Sequence, residues 1–86
     1  MRRNSVIERR SIKEIFKLTT EIQRKDTIQE VDFMSGYVCG ITHILRTSGK
    51  ISLQSEKTLV KMILEIGDER RADLEEDSFT DFEDKK

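Results

Sequence analysis

Proline and tryptophan are absent from this 86-residue chain, which contains only four glycines, one cysteine and five aromatic residues. Because proline and glycine end helices and form tight turns, their scarcity favours long helices over a sheet with many turns. No apolar run reaches the roughly 18 residues that a membrane-spanning helix needs, and the basic N-terminus lacks the apolar core of a secretory signal. A lone cysteine, Cys39, forms no internal disulfide, which fits a reducing, cytoplasmic location.

Charged residues are abundant: they make up 38% of the chain, against 35% hydrophobic residues. The charged share is well above that of a typical globular domain. A chain of this length and composition forms one small domain with a thin core, and such domains are often stabilised by oligomerisation.

The net charge of −1 conceals a strong asymmetry along the chain. Residues 1–25 carry eight Lys or Arg against three Glu, a net charge of +5, whereas residues 68–86 carry four against nine acidic residues, a net charge of −5. Such an asymmetry indicates a nucleic-acid or acidic-partner surface, or head-to-tail complementarity within the protein itself.

Apolar residues at spacings of three and four predict three helices. The first runs from about Ser5 to Arg24. The second begins at a Thr27 capping box and ends near Ser48, before Gly49. The third starts after the N-cap Ser52 and ends at Ile66 or continues to Leu74. We therefore expect an all-α fold, either a small three-helix bundle or a helical hairpin with helix 1 packed on a second subunit.

We place the domain boundary after Leu74, with a helical domain over residues 1–74 and an acidic disordered tail over residues 75–86. Phe79 and Phe82 alternate with carboxylates in this tail. The pattern predicts a short peptide that docks its aromatic rings into a basic, apolar groove, or a mimic of nucleic-acid charge that occupies a basic site. The simpler alternatives are a solubilising tail, or a tail that folds back on the basic head.

The central helix carries the most informative pattern. We expect its apolar arc to build the core with the other two helices, and a face of small residues to lie on the opposite side. Each glycine in a helix costs about 1 kcal/mol relative to alanine, so two on one helix predict a close approach to the backbone. The element that approaches is either a helix of a second copy or of a partner, which would form a seam there, or helix 1 or helix 3 of the same chain. The arc comprises Phe33, Met34, Tyr37, Val38, Ile41, Ile44 and Leu45, and the seam comprises Gly36, Cys39, Gly40 and His43.

Cys39 and His43 stand one helical turn apart, and this pair raises the possibilities of catalysis and metal binding. Two ligands are too few for a structural zinc site unless a symmetric dimer supplies four. A thiol and an imidazole on one continuous helix leave little room for a substrate pocket. We therefore expect no enzyme activity, no catalytic residue, no metal and no cofactor.

The basic head offers partner contacts through Arg9, Arg10, Lys13 and Lys17. Phosphates would attract these cations, but aromatic residues for base stacking are missing around them, apart from Phe16 on the apolar stripe. A solvated helix face is the simpler interpretation.

These features predict a small non-enzymatic interaction protein that acts as a homo-oligomer. It would bind and modulate a larger protein as an inhibitor, adaptor or anti-defence factor does. In composition, though without a residue-level motif, the chain resembles accessory proteins of phages and mobile elements. The alternatives are a nucleic-acid-binding regulator that uses helix 1, and a binder of a small molecule or nucleotide at a subunit interface.

Overall fold

The computed structural model describes the backbone of residues 6–84 and the side chains of residues 6–76. Over this range the chain forms three helices and no strand: α1 (Val6–Arg24), α2 (Ile28–Thr47) and α3 (Leu53–Asp84). Each helix packs against both of the others. The all-α prediction is therefore confirmed, and of its two forms the protein adopts the three-helix bundle.

Polar contacts at the two ends of the bundle define how the helices run. At one end, the Glu8 carboxylate of α1 accepts hydrogen bonds from the Ser52 backbone N–H (2.9 Å) and the Ser55 hydroxyl (2.8 Å) at the start of α3. At the other end, Arg70 Nε of α3 donates to the Lys25 carbonyl, just beyond α1 (2.8 Å). Consequently α1 and α3 are parallel, and α2 runs antiparallel to both.

The ends of α2 follow the capping chemistry that the sequence predicts. The Thr27 hydroxyl accepts a hydrogen bond from the Glu30 backbone N–H (3.1 Å), which satisfies one exposed amide of the first turn. Gly49 has φ +81°, and the next amide, that of Lys50, donates back to the Leu45 carbonyl (2.8 Å). This pairing is a Schellman ending, which requires a left-handed residue after the helix.

The third helix is longer than the sequence predicted. It continues through Gly67 and reaches Asp84, over most of the segment that we predicted to be disordered. The chain contains no proline to end it, and Gly67 is buried, so close packing offsets the weak helix propensity of glycine. Leu74 is the last residue of α3 seen to pack against the core. Beyond it, the helix projects past the bundle.

A narrow core joins the three helices. Phe16, which the sequence placed on the apolar stripe of α1, is 49% exposed, while the small side chains of Ser11 and Thr19 are buried. Small polar residues thus occupy positions where the helices approach most closely, and a bulky ring lies outside. The buried apolar residues are Ile15, Ile22, Val31, Val38, Ile51, Leu59 and Ile63.

Candidate functional site

The apolar arc of α2 is divided between core and surface. Met34, Val38, Ile41 and Leu45 pack in or against the core, as the sequence predicts, whereas the prediction is wrong for the other three members. Phe33, Tyr37 and Ile44 are 73%, 50% and 61% exposed. The helix packs on two neighbours that both lie on one side of it, so that side alone is buried. It is lined by β-branched and small residues that permit close helix contact, namely Val31, Ser35, Val38 and Thr42.

The two glycines of α2 lie beside the exposed rings and not opposite them. At Gly36 and at Gly40, an added Cβ would meet no atom within 4 Å. Neither α1 nor α3 therefore fills the space beside these glycines. The alternative in which helix 1 or helix 3 of the same chain packs against them is thus wrong. We call the outward side of α2 the glycine–aromatic face; its members are Phe33, Gly36, Tyr37, Gly40 and Ile44.

The rings of this face are already ordered against each other. Phe33 and Tyr37, one turn apart, stack with their centroids 6.2 Å apart and their planes 11° from parallel. An aromatic pair in this arrangement loses little side-chain freedom when it is covered. The face is therefore a preformed apolar ridge, which lies beside the exposed helix backbone at Gly36 and Gly40.

The close backbone contact that the sequence assigned to Gly36 and Gly40 lies elsewhere, at Gly67. A Cβ on Gly67 would stand 2.7 Å from the Ser35 hydroxyl oxygen of α2. The sequence interpretation left two roles open for this glycine, as the end of helix 3 or as a position within it. The available signal was its position: Gly67 falls one turn after Ile63, on the buried side of α3.

Cys39 and His43, the other members of the predicted seam, have separate environments. His43 Nδ1 lies 3.0 Å from the Glu56 carboxylate of α3, which also accepts a 2.7 Å hydrogen bond from Arg46 Nε. The His43 contact, followed by that of Arg46, lowers the pKa of Glu56. Together the three side chains clamp the end of α2 to the start of α3.

The surroundings of Cys39 oppose nucleophilic chemistry. Partial burial raises the pKa of its thiol, so the reactive thiolate is less populated. Among the residues that the structure describes, no group of three or more His, Cys, Asp or Glu is placed to hold a metal ion. Within the described part of the chain, no helix is long and apolar enough to cross a membrane.

The predicted basic head is exposed along α1. Lys17 pairs with Glu14 (3.6 Å), and Arg24 pairs with Glu21 (3.5 Å). Within the described residues, no such pair is formed by Arg9, Arg10 or Lys13. Of the described cations on α1, those without an ion pair therefore lie in the first half of the helix.

The acidic end of α3 points away from that cluster. The two helices are parallel, so the segment after Leu74 continues beyond the other end of the bundle. The helix is continuous to Asp84, which is incompatible with a tail folded back on the basic head. Asp73, Glu75 and Glu76 are exposed. The side chains of Phe79 and Phe82 lie outside the described residues.

A shallow apolar groove of about 230 Å³ lies between α1 and α3. Its walls include Ile12, Phe16, Leu59 and Met62. This volume is below the roughly 300–1,000 Å³ of small-molecule sites, and the described residues that line it carry no charge. This groove therefore gives little support to a small-molecule or nucleotide binder. A more open depression of about 530 Å³ on α3, lined by Glu56, Lys57, Val60, Lys61 and Leu64, falls within that range, so this alternative stays a prediction.

Comparison of the chain with protein families, with curated proteins and with solved structures finds no match in any of the three.

Proposed function

We propose that this protein is a non-enzymatic interaction protein, which acts as a homo-oligomer to bind and modulate a larger protein. One observation carries the proposal. The bundle closes its core with other residues and leaves the preformed glycine–aromatic face of α2 uncovered. Contiguous exposed apolar surface of this kind is typical of interaction sites.

The projecting end of α3 is the surface that we assign to the larger partner. It carries exposed carboxylates at Asp73, Glu75 and Glu76, and Leu74 is the last residue of α3 packed against the core among those whose side chains the structure describes. A partner with a basic, partly apolar groove complements it. Charge complementarity of this type accelerates association and selects among partners.

The nucleic-acid alternative receives less support. Duplex binding would use the cations of α1, but Lys17 and Arg24 are already paired with glutamates of the same helix. The acidic end of α3 adds repulsion toward phosphate. As an inhibitor or adaptor, the protein needs neither a catalytic group nor a nucleic acid.

Affinity capture tests the proposal. The tagged full chain is expressed in cells that encode it, beside a variant with Asp73→Asn, Glu75→Gln and Glu76→Gln. We expect one protein to co-purify at constant stoichiometry with the natural chain, and its affinity to fall at least about tenfold in the variant, since each lost charge contact contributes on the order of 0.5–1 kcal/mol.

A second triple variant, with Glu14→Gln, Asp26→Asn and Glu65→Gln, is the matched control. It removes the same number of carboxylates from exposed positions on the bundle and should retain the partner. Recovery of no specific protein, or equal loss in both variants, would contradict the proposal.

A further inference from the structure

The glycine–aromatic face has a spacing that makes it complementary to itself. Tyr37 and Gly40 lie at equal distances along the helix from the midpoint between Val38 and Cys39, and so do Phe33 and Ile44. A two-fold interface requires this property, because residue i contacts residue j and residue j contacts residue i.

We propose that this face is the interface of a homodimer in which two α2 helices pack antiparallel about a two-fold axis through that midpoint. The ring of Tyr37 then fills the space at Gly40 of the partner subunit. Phe33 packs against Ile44 of the partner subunit, and each contact occurs twice. The inference deepens the homo-oligomer part of the proposed function and rests on it.

Residue size favours the antiparallel arrangement over the parallel one. In a parallel pair, Tyr37 would oppose its own copy and Gly40 would oppose another glycine, leaving bulk at one level and a void at the next. The antiparallel pair sets a large side chain against empty space at both levels. An added Cβ at Gly40 meets no atom within 4 Å in the single chain, so that space is available.

Charge favours the same orientation. About this axis Glu30 lies opposite Thr47 of the second copy, three residues before Lys50 in the connection that follows α2, whereas parallel packing would place Glu30 beside Glu30. It also brings the acidic end of one α3 to the same end of the dimer as the basic start of the other α1. Opposite charges thus face each other at both ends of the dimer.

Cysteine cross-linking tests the arrangement directly. In a Cys39→Ala background, the variants are Phe33→Cys, Ile44→Cys and the combination of both. Along α2 the two positions are about 16 Å apart at 1.5 Å per residue, too far for a disulfide within one chain. We expect the double variant to form a covalent dimer on mild oxidation, and neither single variant to do so.

Sedimentation of the purified chain provides the second measurement. We expect a dimer, whose dissociation constant rises at least about tenfold in Ile44→Ser, because burial of one large aliphatic side chain contributes about 1.5–3 kcal/mol. Leu53→Ser is the matched control: Leu53 is 53% exposed and Ile44 is 61% exposed, but Leu53 lies outside the face. Gly40→Leu should give a folded monomer, since the new side chain has room in the single chain.

Three other outcomes would overturn the inference. Cross-linking of Phe33→Cys alone indicates a parallel pair, and a dimer that persists without cross-linking of the double variant indicates another interface. A monomeric natural chain that still captures its larger partner removes the dimer and leaves the interaction function intact. A cross-linked dimer that captures no larger partner supports the interface and contradicts the proposed binding function.

Discussion

The hydroxyl oxygen of Ser35 is the one buried side-chain nitrogen or oxygen atom within the described residues that has no hydrogen-bond partner. A buried hydroxyl without a partner costs about 1–3 kcal/mol, so its place at the α2–α3 contact needs a reason. The reason is size: a serine opposite Gly67 lets the two helices approach closely, and the free energy gained by packing the surrounding core offsets the unmade hydrogen bond.

A double-mutant cycle at this contact is the first prediction. Gly67→Ala alone should lower the free energy of unfolding by about 1 kcal/mol or more, because its methyl group meets the Ser35 oxygen. Ser35→Ala should raise it by about 1 kcal/mol, because the unpaired hydroxyl is removed. In the Ser35→Ala background, Gly67→Ala should become stabilising through helix propensity. Urea unfolding measures all four chains, and strictly additive effects would contradict the contact.

Glu56 provides a prediction of pH dependence. Its pKa in the folded state is lowered by His43 and Arg46. A lowered pKa means that the carboxylate contributes stability fully above the unfolded value, about 4.3 for glutamate, and loses it as the pH falls through the lower folded value. The difference in unfolding free energy between the natural chain and Glu56→Gln should therefore shrink steadily below about pH 4.

Urea unfolding at a series of pH values from neutral to acidic measures this difference. Glu65→Gln, on an exposed part of the same helix, is the control and should show no comparable narrowing. A difference that stays constant, or widens, toward acid would show that the contacts of Glu56 do not stabilise its ionised form.

At the scale of whole elements, the sequence determined the starts and ends that depend on local chemistry. Thr27, Gly49 and Ser52 act through their own side chains or backbone angles, and each takes the role that the sequence predicts. The buried side of α2 was not predictable in this way. It depends on where two other helices approach, so an apolar residue such as Phe33 is exposed while Thr42 is buried.

The prediction of where α3 ends was wrong for a related reason. Gly67 has the weak helix propensity of any glycine, so the sequence predicted an end at Ile66 and a continuation to Leu74 as equal alternatives. Its contact with Ser35, 32 positions earlier in the chain, reverses that preference. The candidate interface was likewise recognised from its glycines, but its large members became evident only when the core was seen to form without them.

Truncation of α3 tests where the bundle ends. A chain that stops after Glu76 retains Leu74, the last packed residue, and should keep its free energy of unfolding within about 0.5 kcal/mol of the full chain. A chain that stops after Ala72 loses that side chain and should be destabilised by about 1–2 kcal/mol. Chemical unfolding of both chains provides the measurement. Equal stability of the two would show that Leu74 contributes nothing to the core.

At the scale of the whole molecule, the fold separates in space the basic and acidic segments that lie at the two ends of the sequence. Because α1 and α3 are parallel, the basic start of α1 and the acidic end of α3 lie at opposite ends of the bundle. From Leu53 to Asp73 the helix alone spans about 30 Å at 1.5 Å per residue, about three screening lengths at 0.1 M salt. The two charged ends therefore act independently of each other within one chain.

The two connections between helices are short, covering residues 25–27 and 48–52. Each helix therefore meets the next after closure of a small loop, and helical bundles with such local connectivity fold within microseconds to milliseconds. In the dimer that we propose, encounter between two folded copies depends on their concentration and is slower in dilute solution. Newly made chains would then reach the bundle first and pass through a stage in which the glycine–aromatic face is open to any helix that fits it.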